Sequence, residues 1–272
     1  MPEATLGVIG GGVMGEALIS RLLDQGIFAP PAIWVSDPQA ARRDFLQQSY
    51  GVQTTTNNAA VVERAQAVLL AVKPQVLSTV AQELSTSLPP GISPPLGLSI
   101  LAGVPLARLA QYFPGWAMVR AMPNTPATVG AGITALAAGD RVTPAQLQQA
   151  RTIFASVGEV IEVPENLMDA VTALSGSGPG YVALMVEALA DGGVAVGLSR
   201  ATAMQLALQT LKGTAELLQQ SALHPGELKD RVTSPGGTTM AGIAQLEAAG
   251  LRSALIEAVR AAHRRARELG QL

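Results

Sequence analysis

The stretch Leu6–Leu18, "LGVIGGGVMGEAL", decides the fold. It opens with four apolar residues of strand character and closes with apolar residues at helical spacing. Between them stands Gly10-x-Gly12-x-x-Gly15. A strand that turns into a helix through this spacing serves a physical purpose. Gly10 permits the tight turn, Gly12 lets backbone approach a pyrophosphate, and Gly15 allows close helix–strand packing. The phosphates then meet free N–H groups at the helix start, so Gly10, Gly11, Gly12, Val13 and Met14 are candidate dinucleotide contacts.

Working outward, short apolar runs recur along the first part of the chain. They are "AIWVSD" (Ala32–Asp37), "GVQTT" (Gly51–Thr55), "AVLLAV" (Ala67–Val72), "LGLSIL" (Leu96–Leu101) and "WAMVRAM" (Trp116–Met122). "AGITALAAG" and "GEVIEV" add two further strands before Pro164. Helical patterns lie between most of them. The expected fold class is therefore α/β, a Rossmann-type doubly wound and mainly parallel sheet. After Pro164 only helical patterns remain, with Ser199 as the N-cap of one of them. The expected organisation is a dinucleotide-binding domain over residues 1–164 and an all-α domain over 165–272. The Ala- and Gly-rich helices of the second part are few for a self-contained core, which points to packing against another subunit.

Composition narrows the classes. The chain has 272 residues, 48% hydrophobic and 14% charged, with a net charge of −2. That supports a sizeable core and disfavours nucleic-acid binding, since no basic stripe carries interleaved aromatics. The absence of cysteine excludes disulfides, iron–sulfur ligation by thiolate and thiol nucleophiles. Two distant histidines, His224 and His263, argue against a histidine-rich metal site, and no metal is expected. No leader and no apolar run of roughly 20 residues is read, so a cytoplasmic location away from the membrane is the expectation.

Other candidate contacts lie where strands end, at the edge where ligands of such sheets bind. Asp37 ends the second strand at the place where an acidic residue usually meets a ribose 2′-hydroxyl. Ser36, Arg42 and Arg43 are close by in sequence and would instead favour a 2′-phosphate. A cap for the next helix is nearly as good a reading of Asp37. Ala71, Val72, Lys73 and Pro74 follow the fourth strand, and Leu101 and Ala102 follow the fifth. Asn124, held between Pro123 and Pro126, follows the sixth and would lie near a nicotinamide, or simply make a turn.

In the helical part, "SPGGTT" (Ser234–Thr239) is a polar, small-residue patch before a helix. Gly236, Gly237 and Thr238 offer backbone N–H groups suited to a carboxylate. "SGSGPGY" (Ser175–Tyr181) enters a long apolar helix, where Ser177 or Gly178 would cap or simply turn. Glu187 and Asp191 share a helix face, as an acid–base pair or, more simply, as solvated charges. His224 reads as a loop histidine making local hydrogen bonds.

Taken together, "IGGGVMGEAL", "AVKPQ", "RAMPNTPATVGAG", "DAVTALSGSGPGYV", "EALADGGVAVGLSR" and "HPGELKDRVTSPGGTT" resemble the pyrroline-5-carboxylate reductase family over nearly the whole chain. The resemblance implies reduction of 1-pyrroline-5-carboxylate to L-proline with NADPH or NADH, with a lean to NADPH. It implies a helical domain that forms a homodimer, with dimers assembling further into decamers. It makes Ser234, Gly236, Gly237, Thr238 and Thr239 the substrate loop, with the Thr239 hydroxyl at the substrate nitrogen and Thr238 of less weight. It brings Asn58 and Glu165 near the cofactor. Dehydrogenases of β-hydroxyacids are similar in plan but use a lysine on the helix that here reads "SGSGPGYVALMVEALADGG", which has none. A nucleotide-sensing regulator would have no need of the hydroxyl loop.

Overall fold

The computed structural model describes residues 5–87 and 94–271. Residues 1–4, read above for a leader, lie outside them. Eight strands form one sheet: β1 (Leu6–Ile9), β2 (Ile33–Ser36), β3 (Gln53–Thr55), β4 (Ala67–Leu70), β5 (Leu96–Ser99), β6 (Ala117–Met122), β7 (Gly132–Ala138) and β8 (Gly158–Glu162). Their order is β3-β2-β1-β4-β5-β6-β7-β8. β1, β4 and β5 are buried along their whole length, as strands covered on both faces must be.

Every pair is parallel except β6–β7. The exception has a local cause. β6 and β7 are joined by a short 3₁₀ turn, Thr125–Val129, and a parallel crossover needs a longer connection. The chain first runs from β1 outward to β3 and then returns to β4 beside β1. The C-terminal ends of β1 and β4 therefore flank a crevice where the strand order reverses.

Helices α1 (Val13–Asp24), α2 (Ala40–Tyr50), α3 (Asn58–Val62), α4 (Leu77–Ser87), α5 (Leu106–Tyr112) and α6 (Pro144–Ala155) cover the sheet. One face packs Leu18, Leu22, Leu46 and Phe154 over the strands, the other Leu77, Leu84, Leu109 and Phe113. α6 begins with a full capping box, Thr143 with Gln146, and Pro144 in its first turn.

The chain divides into two compact units. The sheet-bearing unit runs through Ser177 and takes back the segment from Ala262 onward, while Gly178–Ala261 forms a helical unit. Residues just past the last strand stay with the sheet because α7 (Met168–Val171) buries Met168 against Ala135 and Ala137. The helical unit holds α8 (Gly178–Ala195), α9 (Arg200–Ser221), α10 (Pro225–Arg231), α11 (Thr238–Ala248) and the first part of α12 (Leu251–Gln271). Ser199 caps α9 by accepting from the Thr202 amide at 3.2 Å. Among the described residues no helix is long and apolar enough to cross a membrane.

Candidate active site

In the sheet-bearing unit the Gly-rich turn has the shape a pyrophosphate needs. Gly10 has φ +101°, and a Cβ there would lie 2.7 Å from the Ala71 carbonyl oxygen on the neighbouring strand's end. A Cβ on Gly15 would lie 2.6 Å from the Gly10 carbonyl oxygen. Gly12 differs, because its Cβ would meet nothing within 4 Å. The first and third glycines thus close the turn, and the second faces open space. Gly12 is the N-cap of α1 and brings no side chain, so the Val13 and Met14 amides are left for a ligand. Val13 is 73% exposed there, while Met14 packs partly into the core.

A polar network fixes this turn from below. The Asp37 carboxylate accepts from the Gly11 amide and the Gln39 amide, both at 2.9 Å. Asp37 thus does the turn's work, although Gln39 is the residue that occupies the N-cap of α2. Arg42 donates to the Gly11 carbonyl and to Glu16. Tyr50 donates to Glu16 at 2.9 Å. Partial burial disfavours the Glu16 anion, but the Arg42 and Tyr50 hydrogen bonds and the Arg42 charge outweigh it and hold the carboxyl below its ordinary range. Burial, then the Glu16 hydrogen bond and charge, push the Tyr50 hydroxyl up. Neither Glu16 nor Tyr50 was marked by the sequence pattern. The acidic residue in the first turn of α1 was the available signal.

The neighbouring candidates form a second chain of contacts. Ser36, 1% exposed, donates to Asn58 Oδ1 at 2.5 Å. Asn58 Nδ2 donates to Glu83 Oε2 at 2.7 Å. Past β4, Lys73 precedes a short 3₁₀ turn begun by Pro74. Pro74 and Ala102 line one cavity of about 500 Å³ with Gln75, Ser78, Gly103 and Arg108. Val72 packs partly into the core and Leu101 is buried beside it.

Two candidates carry structural bonds. Asn124 accepts from the Ile133 amide at 2.9 Å and donates to the Ser175 carbonyl at 3.1 Å, linking the ends of β6 and β7 to the π-helical turn Thr172–Gly176. Glu165 accepts from the Leu106 amide at the start of α5 and from Arg120, at 3.4 Å. Arg120 is buried in the middle of β6, with Asp169 as its other partner at 3.5 Å. Sequence reading passed over Arg120, although a charge inside the apolar run "WAMVRAM" marks it.

In the helical unit, Ser234–Thr239 covers the end of the α10–α11 connection and the first two residues of α11. Gly236 turns with φ +68°. The Gly237 amide, expected to face a carboxylate, donates instead to the Ser234 carbonyl at 3.0 Å and closes the turn. Gly237 becomes the N-cap of α11 without a side-chain cap. The donors left open are the first amides of α11, at Thr238, Thr239 and Met240. Among the described residues nothing binds the half-buried Thr239 hydroxyl. Elsewhere, Asp191 pairs with Arg200, and His224 Nδ1 accepts from the Gly226 amide at 3.1 Å, capping α10.

Two family models match successive parts of the chain. Residues 165–269 match the model described as pyrroline-5-carboxylate reductase dimerisation, and residues 5–92 match that of an NADP oxidoreductase, coenzyme F420-dependent. A pyrroline-5-carboxylate reductase of Synechocystis is 59% identical over 266 residues, 98% of each chain. The chain belongs to the pyrroline-5-carboxylate reductase family. A solved family member from Coxiella burnetii superposes with a TM-score of 0.91 at 37% identity, covering 98% of each chain. Another, from Plasmodium falciparum and with NADP bound, gives 0.88 at 31% identity over 99% of each chain.

Proposed function

We propose that this chain reduces 1-pyrroline-5-carboxylate to L-proline, the last step of proline synthesis, with NADH or NADPH. The uncapped start of α11, with the Thr239 hydroxyl beside it, is the observation that carries the assignment of residues. Backbone amides at Thr238 and Met240 bind the substrate carboxylate, helped by the positive end of the helix dipole. The Thr239 hydroxyl oxygen accepts from the protonated ring nitrogen and orients the C=N bond. The protonated imine is already electrophilic, so no strong acid is needed at that atom. The bound nicotinamide supplies the hydride to the C=N carbon.

Gly10, Gly12 and the amides of Val13 and Met14 hold the pyrophosphate. The backbone at Ala71–Pro74 and at Leu101–Ala102 borders the nicotinamide half. Asn124 and Glu165 act on this site by fixing the backbone around it. We further propose a homodimer through the helical unit, supported by the exposed leucines of α8 and α9. Light scattering tests that, and the same measurement tests assembly of dimers into a decamer. The activity is tested by mixing protein, 1-pyrroline-5-carboxylate and either cofactor while following nicotinamide absorbance. Substrate-dependent loss with neither cofactor rejects the assignment.

A further inference from the structure

We infer that the adenosine end of the nucleotide site is built for a ribose 2′-hydroxyl and rejects a 2′-phosphate, with Asp37 as the discriminating group. The inference rests on the proposal that the Gly-rich turn binds a nicotinamide dinucleotide. It decides between the two cofactors that proposal leaves open.

Asp37 stands directly after β2, the strand end that meets the adenosine ribose in this fold. Two backbone amides, Gly11 and Gln39, hold its two oxygens at 2.9 Å each. A carboxylate fixed at both oxygens does not swing away from an incoming phosphate. Each oxygen keeps a further lone pair, and a sugar hydroxyl is a donor that meets it. A phosphate brings negative charge and acceptors alone.

The groups that would attract a phosphate are already engaged. The Ser36 hydroxyl is buried and donates its hydrogen bond to Asn58 Oδ1. The Asn58 amide donates to the Glu83 carboxylate, which also accepts from the Asn58 backbone at 3.3 Å. Glu83 therefore sets the direction of this relay and adds a second negative charge behind it. Arg42 is ion-paired with Glu16 and bound to the Gly11 carbonyl. Arg43 donates from Nη1 to the carbonyls of Asp37 and Pro38, at 2.8 and 3.0 Å. The two arginines beside the site thus brace its backbone, and Arg42 is offset by Glu16.

Fluorescence titration of the full-length protein with NADH and NADPH, in the absence of substrate, tests this directly. NADH is expected to bind at least about tenfold more tightly, the size of effect that one fixed carboxylate near a phosphate produces. Asp37→Ser removes the repulsion and should bring NADPH to parity or better. Asp37→Asn keeps an acceptor for the turn and should narrow the gap as well, and thermal melting shows whether each variant is folded. Glu83 is a positioning residue, so Glu83→Gln should lower the NADH-to-NADPH affinity ratio without abolishing binding. NADPH binding as tightly as NADH to the wild type overturns the inference while leaving the dinucleotide site in place. Binding of neither cofactor overturns both. An unchanged ratio in Glu83→Gln removes Glu83 from the account.

Discussion

The two units of this chain hold themselves together in different ways. In the sheet-bearing unit β1, β4 and β5 are buried from end to end, and large side chains such as Phe154, Leu18 and Leu46 have no exposed surface. In the helical unit the shared core is four residues, Val186, Ala190, Ala203 and Ala207, three of them alanine. Meanwhile Leu184 is 66% exposed, and Leu206, Leu208 and Ile256 are each more than half exposed. A parallel sheet between two helical layers completes its own core. Helices with small residues between them and leucines outside present a surface for another chain. The difference fits the division of tasks proposed above, with the nucleotide contacts in one unit and the assembly surface on the other.

The largest break in this comparison should come from the helical surface. Leu184→Asp combined with Leu208→Asp removes two apolar contacts of about 1.5–3 kcal/mol each and places charges in the interface. Light scattering should show monomers, and turnover should vanish. Nucleotide binding by the sheet-bearing unit should persist. A variant that assembles like the wild type would separate these leucines from the interface. The counterpart in the sheet-bearing unit is Arg120. Arg120→Ala leaves Glu165 and Asp169 part-buried without their cation and should cost about 3 kcal/mol, read by denaturant unfolding. A loss below about 1 kcal/mol would show that solvent already screens the cluster.

A smaller effect sharpens the division of tasks. Thr239→Ala should remove the hydrogen bond proposed between this hydroxyl and the imine nitrogen, worth about 2 kcal/mol or roughly thirtyfold in kcat/KM. Nucleotide affinity should not move, because the nucleotide contacts proposed above all lie in the other unit. Equal loss in both measurements would rule out the role assigned to Thr239.

What could be read from the chain without coordinates follows the same divide. The sheet was legible because its central strands, buried on both faces, are continuous apolar runs; the edge strands β3 and β8 are short and have no buried residue, yet they too fall where the sequence placed them. The turn at Gly10–Gly15 and the Ser199 cap were legible because their partners are within a few residues. Contacts between distant segments were not. Nothing local says that the Asp37 carboxylate reaches back to the Gly11 amide, or that Glu83 pins Asn58. Nor does a helix pattern show that the last turns of α12 belong with the sheet, where Gly270 lies against Gly103. In "SPGGTT" the composition marked a loop with available amides. Only the backbone trace shows that Gly237 uses its own amide to close the turn.

The smallest effect concerns charge, where the two units differ again. The ion pairs of the helical unit, such as Lys212–Glu216 and Arg231–Glu227, are mostly exposed and add little at any pH. Glu16 in the sheet-bearing unit is three-quarters covered and has Arg42 and Tyr50 as partners. Its carboxyl is held below the ordinary value of 4.5, so folding favours its ionised form. The stability this adds is fully present above the unfolded value and is lost as pH falls through the depressed folded value. Glu16→Gln should therefore cost up to about 1 kcal/mol at neutral pH, and the gap to the wild type should shrink as the pH is taken below 4.5. Glu216→Gln, the matched change on an exposed pair, should show almost no gap at either pH. Urea melts of both variants across that range make the comparison. A gap for Glu16→Gln that does not change with pH would mean that packing, and not the carboxylate's charge, ties α1 to α2.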